Sequence, residues 1–259
     1  MSRVIAVANQ KGGVGKTTTA INLAASLAAC DFSVLLIDSD PQGNATTGLG
    51  LSKDTERPTL FDILIGQVPA SKAVVPTGLE GLGIIPSDKN LVGANVELVP
   101  LKARETRLRE KLALIRQQYQ FIIIDCPPAL DLLTLNALLA ADSVLIPIQC
   151  EFFALEGISG LIDTIDRIKE SFHHKLEMEG ILLTMYDDRT NLTRQVAADL
   201  REFFGKEVFR TVIPRSIRLA EAPSHGQPIL SYDPRSKAAE SYIQLSKEVI
   251  ARDQKARAR

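Results

Sequence analysis

The sequence has no tryptophan, only three cysteines and almost no excess of charge of either sign. Cys30, Cys126 and Cys150 form no CxxC pair, so we expect small core residues in a reducing environment, not a disulfide framework. Lys and Arg number 30 against 31 Asp and Glu, a formal net charge of −1, so nucleic-acid binding would need a local basic patch. No apolar run reaches the ~18 residues of a membrane span, and the run at residues 4–8 is too short for a signal-peptide core.

The balance of residue types is that of a globular protein with a hydrophobic core. The chain has 259 residues, of which 45% are hydrophobic and 24% are charged. A chain of this length can bury most of its apolar surface without disulfides, which excludes disorder over the whole chain. Because no repeat or low-complexity linker divides it, we predict a single domain over residues 1–259 with a frayed basic tail over residues 252–259.

Short apolar runs alternate with amphipathic stretches along the chain. The runs are continuous, which is typical of strands buried on both faces of a sheet. Strands are predicted at residues 4–8, 34–37, 82–85, 121–124, 144–148, 181–185 and 208–213. Helices are predicted at residues 18–29, 101–119 and 237–252, and a loop at residues 43–58. This alternation predicts an α/β fold with a doubly wound, mostly parallel sheet flanked by helices.

A glycine-rich segment follows the first predicted strand and leads directly into a predicted helix. It reads Asn9-Gln10-Lys11-Gly12-Gly13-Val14-Gly15-Lys16-Thr17-Thr18. Glycines let the backbone curl so that consecutive N–H groups point at phosphate oxygens, and the helix N-terminus adds a partial positive charge. In such a loop Lys16 reaches the β- and γ-phosphates of a nucleotide, and the Thr17 hydroxyl ligates Mg²⁺. The general pattern GxxxxGK[ST] is not met, because Gln10 stands where its first glycine would be.

The segment Lys11-Gly12-Gly13-Val14-Gly15-Lys16-Thr17 resembles the deviant Walker A motif of the ParA/MinD ATPases, which a second lysine at the loop start distinguishes. Residues 38–44 (Asp-Ser-Asp-Pro-Gln-Gly-Asn) resemble the second motif of that family, and residues 122–128 (Ile-Ile-Ile-Asp-Cys-Pro-Pro) resemble its Walker B motif. Residues 151–157, 213–215 and 220–226 match the short chromosomal branch of ParA, often called Soj. The resemblance covers nearly the whole chain and implies a P-loop NTPase of the deviant Walker A type.

In this family ATP is sandwiched between two subunits, and the resemblance assigns roles on that basis. Lys11 would reach the partner's phosphates while Lys16 serves its own site, and both would take part in catalysis. Lys11, Gly12 and Glu151 would be dimer contacts. The implied nucleotide-binding residues of the loop are Lys11, Gly12, Gly13, Val14, Gly15, Lys16, Thr17 and Thr18.

Three carboxylates stand at the ends of two predicted strands. Asp38 and Asp40 follow the strand at residues 34–37, and Asp125 follows the strand at residues 121–124. In open α/β sheets the carboxyl ends of strands face the ligand crevice. The resemblance implies that Asp40 positions the attacking water and that Asp38 supports the Mg²⁺ shell. Asp125 would bind Mg²⁺ through water, with Thr17 as a further metal ligand.

The adenine end of the site is assigned by resemblance alone. Main-chain groups around Pro214 and Arg215 lie near the base in this family. Met185 would be their neighbour, although a core residue that ends its strand is an equal alternative for Met185.

Arg189 and Arg218 match positions at which the Soj branch carries DNA-contacting arginines. From residue 201 to residue 218 two acidic residues oppose five basic ones, a local charge of +3; the basic residues are Arg201, Lys206, Arg210, Arg215 and Arg218. A near-neutral protein with such a basic strip can bind the phosphates of double-stranded DNA without reading bases, and such binding weakens steeply with salt. Ordinary solvated arginines are the alternative.

The resemblance therefore implies a DNA-partitioning ATPase that uses ATP and Mg²⁺. ATP would convert a monomer into a sandwich homodimer that binds nucleoid DNA in the cytoplasm without sequence preference. A ParB-type centromere-binding protein would stimulate weak hydrolysis and release the dimer.

Two other functions stay open. A MinD-like membrane-surface ATPase for placement of the division site is disfavoured, because no large apolar residue follows Ile250. A nucleotide-dependent scaffold that positions another cargo would not require catalysis, and the retention of Asp38, Asp40 and Asp125 argues against it.

Overall fold

Eight strands form one sheet in the computed structural model, which describes residues 2–53, 56–151 and 154–258. In chain order they are β1 (Arg3–Val7), β2 (Val34–Asp38), β3 (Val75–Pro76), β4 (Leu82–Ile85), β5 (Phe121–Asp125), β6 (Ser143–Gln149), β7 (Glu177–Tyr186) and β8 (Val208–Pro214). Their order across the sheet is β3-β4-β2-β5-β1-β6-β7-β8, and β3 alone pairs antiparallel. The predicted mostly parallel sheet is confirmed. The unpredicted strand, β3, has two residues, too few to show a pattern.

Helices cover both faces of this sheet. Those of the described residues are α1 (Lys16–Ala28), α2 (Asn44–Gly48), α3 (Leu60–Ile65), α4 (Ala70–Ala73), α5 (Ala94–Glu97), α6 (Arg107–Ala113), α7 (Leu132–Ala140), α8 (Ala154–Phe172), α9 (Asn191–Phe204), α10 (Ile217–Glu221), α11 (Ile229–Tyr232) and α12 (Lys237–Arg257). Short 3₁₀ turns lie at Lys89–Gly93, Arg116–Gln118, Gly205–Glu207 and Ala222–His225.

Alternate residues of the central strands feed two separate hydrophobic cores. Val4 and Ala6 of β1 join the core under α3 to α9, whereas Ile5 and Val7 join the core under α1 and α10 to α12. Successive side chains of a strand point to opposite faces, so a strand covered on both faces needs apolar residues throughout. This requirement explains the continuous apolar runs.

The helix predicted over residues 101–119 is wrong in extent. The structure has only α6 (Arg107–Ala113) and the 3₁₀ turn Arg116–Gln118 in that stretch. Ala103 has φ 52°, a left-handed conformation that interrupts a helix, and the apolar side chain of Leu114 is 73% exposed. The helical spacing of apolar residues therefore overestimated the length of this helix.

Two other boundaries differ from the predictions. The loop expected at residues 43–58 contains α2 (Asn44–Gly48), and residues 54 and 55 of it lie outside the described residues. The last helix, α12 (Lys237–Arg257), extends past residue 252 into the expected frayed tail, where Arg257 pairs with Asp253 at 2.7 Å. Residue 259 lies outside the described residues.

The three cysteines are free thiols, as the sequence predicted. Cys126 and Cys150 are buried core residues, whereas Cys30 is half-buried. Within the described residues, no helix combines the length and the apolar character needed to cross a membrane.

Candidate nucleotide site

The glycine-rich segment forms a loop between β1 and α1 at the carboxyl edge of the sheet. Gly13 and Gly15 have φ of 75° and 87°, conformations that side-chain-bearing residues rarely adopt. Gly15 is the N-cap of α1 and brings no side chain to its first amides. The free N–H groups of this first turn can therefore receive an anion.

Neighbouring strands hold this loop in place. The Asn9 side chain donates to the carbonyl oxygen of Pro147 at 2.8 Å and accepts from the backbone N–H of Lys11 at 3.0 Å. The Thr184 hydroxyl of β7 donates to the carbonyl oxygen of Val14 at 2.8 Å. Asn9 and Thr184 could not be predicted as supports, because the bonds to Pro147 and Val14 join residues distant in sequence.

Lys16 is the buried cation of the site. Its side chain is 7% exposed, and its Nζ donates to the carbonyl oxygen of Lys11 at 3.2 Å, within the loop. Burial lowers the pKa of Lys16, and the nearby carboxylate of Asp125 offsets part of this effect. An ammonium group held by a neutral carbonyl retains its charge for a phosphate.

Asp125 is the buried anion of the site. It ends β5 between two strands, in register with Val7 of β1 and Asp38 of β2, and it is fully buried. In the described residues neither of its carboxylate oxygens accepts a hydrogen bond of good geometry, although the Thr17 hydroxyl approaches the carboxylate closely enough to act on its charge. Burial, and next the neighbouring carboxylate of Asp38, raise the pKa of Asp125 well above its ordinary value.

An unpaired carboxylate of this kind fits a hydrated Mg²⁺ ion, whose waters would supply the missing donors. The hydroxyl group of Thr17, in the first turn of α1, is the second expected ligand. The part of the chain that the structure describes contains no group of three or more His, Cys, Asp or Glu side chains able to hold a metal together. A Mg²⁺ ion here would therefore take its remaining ligands from phosphate and water.

Both carboxylate oxygens of Asp38 accept hydrogen bonds within the protein. Its Oδ2 accepts from the N–H and the hydroxyl of Thr46 at 2.8 and 2.7 Å, and its Oδ1 accepts from the N–H of Asp40 at 3.2 Å. Burial raises the pKa of Asp38 to about 6. These bonds orient α2 and the loop that carries Asp40, so a supporting role suits Asp38 better than direct ligation.

Asp40 lies on the loop after β2 and is 9% exposed. Its Oδ1 accepts from the N–H of Gln42 at 2.9 Å, and its carbonyl oxygen accepts from the Ser87 hydroxyl at 2.8 Å. Burial lowers the pKa of Lys16 and raises the pKa of Asp125, and the negative charge of Asp40 makes a smaller upward contribution to each, which places Asp40 in the same electrostatic environment.

The three expected dimer contacts share one exposed surface. The Lys11 ammonium forms an ion pair with the Glu151 carboxylate of the same chain, and their side chains are 51% and 45% exposed. A Cβ atom added at Gly12 would meet no other atom within 4 Å. The described chain therefore leaves room for a Cβ atom at Gly12. Phe152 and Phe153, in the motif that begins with Glu151, lie outside the described residues.

The expected adenine contacts come together at the carboxyl ends of β7 and β8. Pro214 pairs in register with Tyr186, and the N–H of Arg215 donates to the Tyr186 carbonyl oxygen at 3.2 Å. Met185 is half-buried and has φ 49°, an unusual backbone for a residue with a side chain. Such backbone strain occurs preferentially at functional sites.

The two arginines expected to contact DNA already have acidic partners. The Arg189 guanidinium donates to both carboxylate oxygens of Asp187, at 2.8 and 2.7 Å, and its side chain is 82% exposed. The hydrogen bond from Arg189 lowers the pKa of Asp187 to about 2. Arg218 pairs with Glu221 at 3.0 Å and lies 3.8 Å from Asp233. A phosphate group would have to displace these carboxylates.

The basic strip predicted between residues 201 and 218 is divided by β8. Arg201, Lys206 and Arg210 line a cavity at the amino end of this strand. Arg215 and Arg218 follow its carboxyl end. Because β8 has seven residues, the two groups lie roughly 20 Å apart at opposite edges of the sheet. The prediction of one continuous strip is therefore wrong.

Comparisons with known proteins agree with this geometry. The family model described as AAA domain matches residues 2–178. The chain is 52% identical to the chromosome partitioning protein ParA of Caulobacter vibrioides, over 97% of this chain and 95% of that protein. It is 50% identical to the chromosome-partitioning ATPase Soj of Thermus thermophilus, over 98% of each.

A similar solved structure is that of cobyrinic acid a,c-diamide synthase from Mycobacterium smegmatis with bound ADP and magnesium. Its TM-score is 0.83 at 37% identity, with 95% of this chain and 93% of that chain covered. The identities to ParA and Soj are higher and extend over nearly the full length of both chains. On this evidence, the chain belongs to the ParA/Soj family.

Proposed function

We propose that this chain binds ATP with Mg²⁺ and hydrolyses it. The observation that carries the proposal is a buried lysine, Lys16, close to a buried carboxylate, Asp125, that accepts no hydrogen bond of good geometry, where a glycine-rich loop enters a helix. Each of these charges is unfavourable in an empty site, and a magnesium–nucleotide complex would compensate both. The names of the relatives, partitioning proteins and a partitioning ATPase, support the same reaction.

Each charged residue has a separate task in this proposal. Lys16 would hold the terminal phosphates, and Thr17 and Asp125 would hold the Mg²⁺ ion, whose charge would neutralise phosphate oxygens. Asp40 would orient the attacking water. Met185, Pro214 and Arg215 would surround the adenine.

A homodimer would complete the site. Lys11 would leave Glu151 and reach the nucleotide of the partner subunit, where a second cation stabilises charge in the transition state. The exposed, open surface around Gly12 supports a close approach of two chains. ATP would thus favour the dimer, because only the dimer provides the second lysine.

Two variants test this reaction. Asp40→Ala is expected to bind ATP and dimerise but to release phosphate far more slowly, whereas Lys16→Ala is expected to lose nucleotide binding. Phosphate release and light scattering with ATP, ADP or no nucleotide measure these effects. Asp163→Asn, on the exposed side of α8, is the control and should behave as wild type. Normal turnover by Asp40→Ala would rule out its assigned role.

Partitioning would follow from nucleotide-dependent binding to DNA. The dimer would bring two copies of Arg189 and Arg218 onto one surface, bind nucleoid DNA without sequence preference, and dissociate when a ParB-type partner stimulates hydrolysis. Binding through phosphates would weaken steeply with salt. The acidic partners of both arginines would reduce binding by the monomer, which has only one set of contacts.

The test uses Asp40→Ala, in which the ATP state persists. Duplex DNA of unrelated sequences should bind with ATP only, and Arg218→Ala should reduce the slope of log affinity against log salt by about two for the dimer. Arg167→Ala, an exposed residue of α8, should leave the slope unchanged. Equal DNA binding with and without ATP would contradict the proposed switch.

The two alternatives make different predictions in the same assays. A MinD-like protein would bind anionic vesicles with ATP, but α12 ends in residues that are small, polar or charged. A non-catalytic scaffold would dimerise with ATP and never release phosphate.

A further inference from the structure

A second cavity lies at the opposite edge of the sheet from the phosphate loop. It has a volume of about 760 Å³ and is formed by the amino ends of β7 and β8, the Gly205–Glu207 turn and the last part of α12. Pockets for small molecules have volumes of about 300–1,000 Å³. This cavity is large enough for a ligand of nucleotide size.

Six cationic and four acidic side chains line this cavity, an excess of two positive charges. Arg3 is already paired with Glu177 and Glu179, at 3.1 and 3.0 Å. In residues 2–53, 56–151 and 154–258 the remaining cations form no ion pair with a carboxylate; they are Arg201, Lys206, Arg210, Arg252 and Lys255. Three of these five, Arg201, Lys206 and Arg210, form the part of the divided basic strip that the proposed DNA contacts do not use.

Arg252 shows why an anion is favoured here. Its guanidinium is half-buried, lies 4.0 Å over the ring of Phe209, and donates to the carbonyl oxygens of Glu179 and Lys206. Burial lowers the pKa of Arg252, and the charges of Glu179, Glu248 and Glu207 offset part of this effect without forming an ion pair with it. Carbonyl oxygens and a ring orient this cation, and the nearby carboxylates act on it without pairing, so its desolvation is only partly compensated within the described chain. An anion in the cavity would provide the missing charge.

The acidic residues of the cavity are mostly engaged elsewhere. Both carboxylate oxygens of Glu248 accept backbone N–H groups of β8, at 3.0 and 2.7 Å. The Oε2 of Glu179 accepts from Arg3 and Ser143, at 3.0 and 2.7 Å, whereas its Oε1 is buried without a hydrogen-bond partner in the described residues. Within the described chain, Glu207 is the carboxylate of this cavity that has neither a hydrogen bond nor an ion pair. Glu207 would therefore oppose an anionic ligand and limit its affinity.

We propose that this cavity binds a small, freely diffusing phosphate-bearing molecule with two or more negative charges. The site is separate from the phosphate loop and does not depend on the proposed ATPase activity. A small ligand is favoured over a DNA duplex because the site is concave and its central cation, Arg252, is half-buried.

Calorimetric titration with inorganic tripolyphosphate, without Mg²⁺, tests this proposal. Wild type should show two binding events, one at each site. Lys16→Ala should remove one event and leave the other, so failure at the phosphate loop and failure at the cavity are distinguishable. The double variant Arg201→Ala/Lys255→Ala changes exposed side chains without ion pairs and should weaken the second event about tenfold or more.

Two further variants separate ligand binding from a structural effect. Glu207→Gln should tighten the second event several-fold, since it removes the opposing charge. Lys72→Ala, an exposed residue of α4 near the opposite end of the sheet, should change neither event. Raising the salt concentration should weaken the second event.

A single binding event in wild type that Lys16→Ala abolishes would overturn the proposal. So would a second event that neither Glu207→Gln nor the double variant changes. Short duplex DNA and vesicles with anionic lipid form the other arms of the test. Binding of either one, lost in the double variant, without any binding of tripolyphosphate would assign the cavity to a macromolecule or a membrane and refute a small ligand.

Discussion

Replacing Asp125 by asparagine should stabilise the free protein while it destroys the nucleotide site. Asp125 is fully buried, and in the described chain neither of its oxygens accepts a hydrogen bond of good geometry, so the approach of the Thr17 hydroxyl compensates its charge only in part. A buried, unsatisfied polar group costs about 1–3 kcal/mol, and more when it is charged. Asn has nearly the same shape and no charge, so we expect Asp125→Asn to raise the free energy of unfolding by about 1–3 kcal/mol.

Thermal unfolding followed by circular dichroism at pH 7 measures this effect. For a chain of this size, each kcal/mol moves Tm by about 2–4 °C. Without ligand, Asp125→Asn should therefore melt higher than wild type. With ATP and Mg²⁺ the order should reverse, because only wild type gains stability from the complex. Asp163→Asn, an exposed carboxylate, is the control and should match wild type under both conditions.

Two outcomes would refute this reasoning. If Asp125→Asn melts at or below the wild-type temperature without ligand, the carboxylate is not an unsatisfied charge in the free protein. If ATP and Mg²⁺ stabilise the variant as much as wild type, Asp125 does not hold the metal.

The other predictions concern pH, the dimer surface and the support of the site. Burial raises the pKa of Asp38 from 3.8 to about 6, so the folded protein holds a proton on Asp38 more tightly than the unfolded chain does. Relative to Asp38→Asn, the free energy of unfolding should therefore fall by about 3 kcal/mol as pH rises from about 4 to about 6. Urea unfolding without ligand at several pH values, for wild type and Asp38→Asn, measures this difference, and parallel curves would contradict it. Gly12→Val should keep the wild-type Tm and ATP binding but should not dimerise in light scattering. Gly78 is an equally open glycine, so Gly78→Val should still dimerise. A Gly12→Val variant that dimerises would exclude a close approach of two chains at Gly12. Thr46→Val removes the hydroxyl that donates to Asp38 and accepts from the N–H of Ser87, so it should lower the free energy of unfolding by about 1–3 kcal/mol. An unchanged urea midpoint would show that neither hydrogen bond contributes to stability.

Much of the fold and part of the site could be predicted from local sequence. The continuous apolar runs predicted seven of the eight strands, because a strand covered on both faces has no polar side to interrupt it. The glycine-rich loop was visible because Gly13 and Gly15 adopt conformations that glycine favours. Helix extent was harder, as residues 101–119 show, because Ala103 breaks a helix that the apolar spacing favours.

The partners of the functional residues could not be predicted, because they depend on how the loops fold, whether the contact is short or long in sequence. Asp38 is engaged by Thr46, and the loop is held by Thr184, which lies 170 residues from Val14.

The sequence by itself determined which residue types follow each strand, and therefore the phosphate loop, the strand-end carboxylates and the parallel sheet that brings them to one edge. Tertiary structure alone decided which of those charges are compensated. It left Asp125 without a hydrogen bond of good geometry, gave hydrogen-bond donors to both oxygens of Asp38, and separated Arg210 from Arg215 along β8. The physical reason is that compensation of a buried charge depends on the position of its partner in space, which spacing along a chain does not specify.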